Sequence, residues 1–331
     1  MKLRVGLVGV GPDWESRHRP ALKSLSDRFD VRAVCSEVAV RAEQAASEFE
    51  ADTVDGFRAL SARNDIDAIL MLSPDWYGPL PIFAACDSGK AIYCAGAMDM
   101  APDMARQVRA RVEESGIAFV AEFPRRCAPA TLRLKELIAT RLGQPKLLFC
   151  HRRHADDSNG CEDKKWTQSM RDLMELVDWC RYTVGMEPTS VIGVRHEDRS
   201  VDDYQMLSLD FSPPGAEGTG PMAQLSCSNY FSKRWSDAFT FRPPAELQVC
   251  CEKGVAFVDL PSSLVWFDEA GQHRESLEAD RPVGEQLLTQ FHRAVTSLVR
   301  STTDLDDTYT ALNIVLAART SCEEGRRVML D

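Results

Sequence analysis

The stretch that decides the fold is VGLVGVGPDWESRHRPAL, Val5 to Leu22. An apolar run ends at Gly9 and Gly11, and a helix is expected from about Ser16. Glycine permits the tight turn from strand to helix and lets backbone N–H groups approach a pyrophosphate there. A lone G-x-G is a weak signal, but one that closes an N-terminal strand inside a βαβ unit is much stronger. Gly9, Gly11, Pro12, Asp13 and Trp14 are therefore the candidate cofactor turn. Two departures stand out. Trp14 occupies the place of the third glycine, and the turn before His18 is one residue longer than usual. A tryptophan there either packs under the sheet or lies in the phosphate cleft.

Outward from this turn, short apolar runs alternate with helical stretches to about residue 122. The strands are LRVGLVGV, DVRAVC, DAILMLS, KAIYCA and IAFVAE, with amphipathic segments such as AVRAEQAASEFE between them. Such alternation implies a parallel sheet covered by helices on both faces, so residues 1–122 are expected to form a Rossmann-type domain. The second strand ends CSEV. Ser36 takes the place where an acid often meets the adenosine ribose, with Glu37 next and Arg41 one turn on. Serine with a nearby arginine hints at a 2′-phosphate and Glu37 argues the other way, leaving NAD and NADP both open.

After Pro129 the rhythm changes, and residues 123–331 are expected to form a second α/β domain. Helix ATLRLKELIAT leads into strand PKLLFCHRR, a polar loop and helix SMRDLMELVDWCRYTVG. Six closely spaced strands follow, from SVIGVRHE to SLVWFD, which implies a mainly antiparallel sheet. PPGAEGTGP, residues 213–221, reads as an exposed hairpin loop, and two helices close the chain.

The 331 residues carry 44% hydrophobic and 27% charged side chains, the balance of a globular protein. No apolar run is long enough to span a bilayer. The N-terminal apolar segment runs into the glycine turn without a small-residue cleavage site, so it reads as a strand and not as a signal peptide. A net charge of −11 with no basic stripe argues against a nucleic-acid partner. Eleven cysteines contain no C-x-x-C, and most lie in apolar segments, which favours a reducing cytoplasm and no disulfide framework.

Taken together, the chain resembles the Gfo/Idh/MocA family, the glucose–fructose oxidoreductase and inositol dehydrogenase group. The resemblance rests on the glycine turn with H-x-PAL, on DAILMLSPDWY at 67–77, SGKAIYC at 88–94, and RRCAPATLRLKELIATRLGQPKLL at 125–148. It continues in VGMEPTSV at 184–191, EKGVAFVDL at 252–260 and ALNIVLAARTSCEEGRRVML at 311–330. It implies a Rossmann domain followed by an α/β domain with an open, mainly antiparallel sheet that commonly makes a homo-oligomer. It also implies an NAD or NADP cofactor, contacts from Ser73 and Pro74, and a sugar or polyol substrate. Where the family carries Glu-Lys-Pro after the fourth strand, this chain has Ala95-Gly96-Ala97. The proton-handling lysine is thus replaced by Gly96. The places of the family's helical aspartate and histidine hold Arg171 and Glu175.

Glu175 and Arg171 are accordingly the candidate catalytic pair, against a plain i,i+4 ion pair on a helix face. Glu122, Arg125 and Arg126, at the carboxyl edge of the fifth strand, are candidate substrate ligands, against an interdomain salt bridge. Trp166, in KKW at 164–166, is a candidate sugar platform, against a surface loop. His151 and His154 near Asp156, Asp157 and Cys161 are poorly spaced for one metal, and none is expected. Two functions remain open. One is an NAD(P)-dependent oxidoreductase with non-standard catalytic residues. The other is a redox-silent relative that binds a dinucleotide or sugar as a sensor.

Overall fold

The structure, a computed structural model, describes residues 1–96, 100–156, 162–198, 201–232, 245–278, 281–297 and 303–330. The chain divides into two compact units, Met1–Pro124 with Arg281–Thr310, and Arg125–Asp280 with Ala311–Asp331. Residues 281–310, which the strand–helix rhythm does not assign to the first unit, thus belong with it.

The first unit is built on a six-stranded sheet in the order β3-β2-β1-β4-β5-β6. Its strands are β1 (Leu3–Val8), β2 (Phe29–Cys35), β3 (Asp52–Thr53), β4 (Ala68–Met71), β5 (Ala91–Cys94) and β6 (Phe119–Ala121). Every ladder is parallel. Helices cover both faces of such a sheet, so β1, β4 and β5 read as near-continuous apolar runs and are buried throughout or nearly so. The connecting helices are α1 (Arg19–Ser24), α2 (Ala39–Phe49), α3 (Phe57–Ser61), α4 (Pro74–Tyr77), α5 (Leu80–Asp87) and α6 (Pro102–Ser115). In α2 the buried residues Ala42, Ala45 and Ala46 recur at helical spacing. Proline at its start and Gly116 at φ +62° just past its end bound α6.

The second unit contains a nine-stranded sheet in the order β14-β13-β12-β11-β7-β10-β9-β8-β15. Its strands are β7 (Pro145–Asp156), β8 (Ser190–Asp198), β9 (Val201–Asp210), β10 (Met222–Ser232), β11 (Leu247–Cys251), β12 (Val255–Asp259), β13 (Ser263–Asp268), β14 (Gly271–Ser276) and β15 (Val328–Met329). Among the described residues only β7 and β10 pair in parallel; the other ladders are antiparallel. The loop at 213–221 joins β9 to β10 and is exposed over most of its length, as expected. Buried Asp210 anchors its ends by accepting from the backbone N–H groups of Ser212 and Gly218 and from Arg327.

Helices α7 (Pro129–Leu137) and α8 (Glu162–Val184) pack on one face of this sheet. Helix α8 begins at Glu162, so Lys164 to Trp166 lie in its first turns instead of the polar loop expected there. Helix α9 (Val283–Thr296) belongs to the first unit, and α10 (Thr303–Glu324) begins there and ends in the second. On β8 the alternation is plain. Val191 and Gly193 are buried, and a β-carbon on Gly193 would stand 2.2 Å from the Ala318 carbonyl of α10. Ile192 and Val194 are exposed on the opposite face.

Candidate functional site

The glycine turn is fixed by how closely β1 and β4 end beside one another. Gly9 has φ +82°, and a β-carbon on it would stand 2.4 Å from the Ser73 side chain. On Gly11 it would stand 2.0 Å from the Leu72 carbonyl oxygen. The Gly9 N–H donates to the Cys35 carbonyl at the end of β2, and the Leu72 N–H to Val8. Ser73 is buried, and its hydroxyl has no hydrogen-bond partner among the described residues. Pro74 opens α4 directly beyond it. A tight turn with two obligatory glycines and a buried, unsatisfied hydroxyl beside it fits a phosphate-bearing dinucleotide.

The segment expected to be longer before His18 is wound into helix. Trp14–His18 form one turn of π-helix, closed by the His18 N–H donating to the Asp13 carbonyl at 3.1 Å, and α1 begins only at Arg19. A π-turn absorbs a single insertion without shifting the elements on either side. Trp14 is buried and packs edge-on against Phe49 of α2, with ring centroids 5.9 Å apart. At the end of β2, the Ser36 hydroxyl donates to the Glu37 carboxylate at 3.1 Å, and Arg41 is exposed on α2. After β5, the Ala95 N–H donates to the Met71 carbonyl. Gly96 has φ +95°, and no atom of the described residues lies within 4 Å of where a side chain would project. Ala97 lies outside the described residues.

Glu122, just beyond β6, is 1% exposed, and both its carboxylate oxygens are taken up inside the first unit. Oε1 accepts from Arg17, and Oε2 lies 3.2 Å from His18 Nε2. Burial works against this charge, but His18 and Arg17 outweigh it and hold the carboxyl below its usual range. Arg17 also lies 3.3 Å from Asp13. Tyr93 of β5 packs edge-on against His18 and against Phe291 of α9.

In the second unit, polar side chains gather where α8 crosses β7 and β10. Ladder pairing sets Arg152, Cys227 and Gln205 side by side on β7, β10 and β9. Arg152 Nε is 2.9 Å from Asp172, which is 1% exposed, and its Nη1 is 3.6 Å from Glu175. From the other side, Arg125 places Nε 3.4 Å from Glu175, donates from Nη1 to Glu246 at 2.9 Å, and lies over the Trp179 ring at 5.0 Å. Burial disfavours the Arg125 charge, and Glu175, Cys150 and Glu246 more than restore it. Glu175 thus stands between two guanidinium groups.

Of the expected site residues, Glu175 and Arg125 come together. Arg171, half-buried, lies one turn before Glu175 on α8. Arg126 is turned to a bidentate pair with buried Asp178 and lies over the Tyr182 ring. Trp166 lies in α8, but its side chain, with those of His154, Asp156, Asp157 and Cys161, is outside the described residues. The sequence reading missed Arg152 and Asp172. Arg152 could have been found: it follows Leu148 and Cys150 at period two, and both of those are buried, so an arginine in that row needs a carboxylate partner.

Residues 3–123 match the GFO_IDH_MocA family model, described as an oxidoreductase family with an NAD-binding Rossmann fold. The fold of the whole chain is shared with solved oxidoreductases. One is an aldose-aldose oxidoreductase from Caulobacter crescentus, complexed with glycerol, at 15% identity over all of both chains and a TM-score of 0.83. Another is a levoglucosan dehydrogenase in complex with NADH and levoglucosan, at 16% identity over 99% of each chain and a TM-score of 0.83. No curated protein matches the chain. The resemblance read from the sequence is thus met by the family model over residues 3–123.

Glu122→Gln keeps the shape of the buried cluster and removes its negative charge. Stability should fall by about 3 kcal/mol near neutral pH, because Arg17 loses its buried counter-charge. A depressed carboxyl contributes above its unfolded value near 4.5, and the contribution is lost as pH falls through the folded value. Urea unfolding of both proteins at a series of pH values should show the gap narrowing below 4.5. A gap independent of pH would assign the loss to packing instead of charge.

Proposed function

We propose that the protein is an NAD(P)-dependent oxidoreductase acting on a sugar, polyol or glycoside with non-standard catalytic residues. The observation that carries this is the glycine turn closed against Leu72 and Ser73, with a buried hydroxyl left unpaired beside it. When bound, the nicotinamide supplies the hydride chemistry. The rest falls to the chain's own side chains. Glu175 accepts a hydrogen bond from a substrate hydroxyl, and Arg125, Arg152 and Arg171 supply donors around it. Held between two guanidinium groups, Glu175 is placed to orient that hydroxyl. Glu122 positions the cofactor turn through Arg17 and His18. The acid at the end of β2 favours NAD, since Glu37 would repel a 2′-phosphate. Mostly buried cysteines that form no pair among the described residues support a cytoplasmic setting.

One observation favours the redox-silent alternative: Gly96 leaves the customary lysine position without a side chain. Fluorescence titration with NADH and NADPH should show micromolar binding, tighter for NADH. Absence of both would sink the dinucleotide reading; binding without turnover on a panel of sugars and polyols would favour the sensor. With a turned-over substrate in hand, Glu175→Gln should lower kcat by about tenfold or more, while melting stays close to wild type. An unchanged kcat removes Glu175 from the mechanism.

The open face of the second sheet supports a homo-oligomer. Leu147, Ile192, Val194 and Phe267 are exposed there or on the strands that flank it. Sedimentation should give a species larger than one chain, and Val194→Lys should shift it toward monomer. A wild-type monomer at micromolar concentration would overturn this assignment.

A further inference from the structure

The cofactor turn carries a charge that its glycines do not explain. Asp13 follows Gly11 and Pro12, where backbone N–H groups of such a turn approach a pyrophosphate. Pro12 contributes no N–H, and a carboxylate beside an anionic group repels it. The Asp13 side chain is 45% exposed and lies 3.3 Å from Arg17 Nη2.

Arg17 itself is fixed from behind. Its Nη1 is held by buried Glu122. Its backbone carbonyl lies 2.7 Å from where a β-carbon on Gly284 would stand, so the backbone is closely packed there as well. A guanidinium is a rigid fork that can satisfy a different oxyanion at each terminal nitrogen. Glu122 takes the buried prong and Asp13 the outer one.

We infer that Asp13 is an internal stand-in for phosphate on Arg17: a bound dinucleotide's pyrophosphate takes Arg17 Nη2 from Asp13, and this exchange sets cofactor affinity. The inference rests on the dinucleotide reading above. Asp13 is then a built-in competitor, and Arg17 is the cation that the turn presents to the ligand once Asp13 is displaced. Glu122 acts through Arg17, holding the guanidinium in place.

The test is calorimetric titration of the full chain with NADH and with ADP-ribose, which keeps the pyrophosphate and lacks the nicotinamide. Wild type, Asp13→Asn, Arg17→Gln and the double variant are compared. Asp13→Asn should bind both ligands about three- to tenfold more tightly at low salt, and the gain should shrink at high salt as screening sets in. Arg17→Gln should bind more weakly, and in that background the Asp13 substitution should give a clearly smaller gain, leaving only the loss of direct repulsion, the mark of two coupled residues. Asp103→Asn, an exposed acid on α6, changes net charge equally and should leave affinity unchanged.

If Arg17→Gln fails to fold, the salt dependence of Asp13→Asn decides: a slope steeper than wild type supports a newly freed cation, and an equal slope overturns it. Binding by Asp13→Asn where wild type shows none also supports the inference. Wild-type binding with no gain in Asp13→Asn, or the same gain without Arg17, overturns it and leaves the dinucleotide reading intact. Failure of every variant to bind either ligand overturns both.

Discussion

Gly11 leaves no room for a β-carbon, because the Leu72 carbonyl would stand 2.0 Å from it. Much of the first unit follows from that closeness. The ends of β1 and β4 can lie side by side only if the chain leaving β1 is bare of side chains. Once they do, β2 is drawn in through the hydrogen bond from Gly9 to Cys35. Ser73 is buried by the same approach, and its hydroxyl is left facing the turn. The geometry of the turn proposed to take a phosphate is thus a by-product of packing three strand ends together.

The segment from Asp13 to His18 shows how such a turn can take up extra length. One extra residue between two fixed elements must be expelled, looped out or wound in. Here it is wound in as a π-turn at Trp14–His18, which keeps Arg17 and His18 against Glu122. Trp14 turns into the contact with Phe49, so a large side chain at the third glycine position is accommodated by burial. The charged cluster beneath explains why a carboxylate persists in an interior position. With a guanidinium and an imidazole on its two oxygens, Glu122 is less costly charged than neutral.

The second unit solves a related problem differently. Arg152 and Asp172 put charge between a sheet and the helix covering it, where buried Asp172 needs a counter-charge. Glu175 sits at the more exposed end of this network, 19% exposed, with Arg125 and Arg152 on either side. Its chemistry is therefore set by neighbours on a strand and on the segment before α7, and only in part by its own helix. An i,i+4 relation to Arg171 was all that local spacing offered.

What the sequence determined by itself is what depends on short-range pattern. The parallel sheet follows from apolar runs alternating with amphipathic segments, and the antiparallel sheet from strands too close together for crossovers. The tight turn after β1 follows from two glycines at the end of an N-terminal strand. Elements without such a pattern were illegible: β14, GQHRES, has few apolar residues and is a strand only because β13 pairs with it. Edge strands β3 and β15 are two residues each and carry no periodicity. The tertiary structure alone decided the electrostatics. Glu122 meets Arg17 across 105 residues of chain, and Arg125 meets Glu246 across 121. Spacing along a chain fixes which face a residue occupies, but the counter-charge that sets its role arrives from another element, and only folding brings the two within reach.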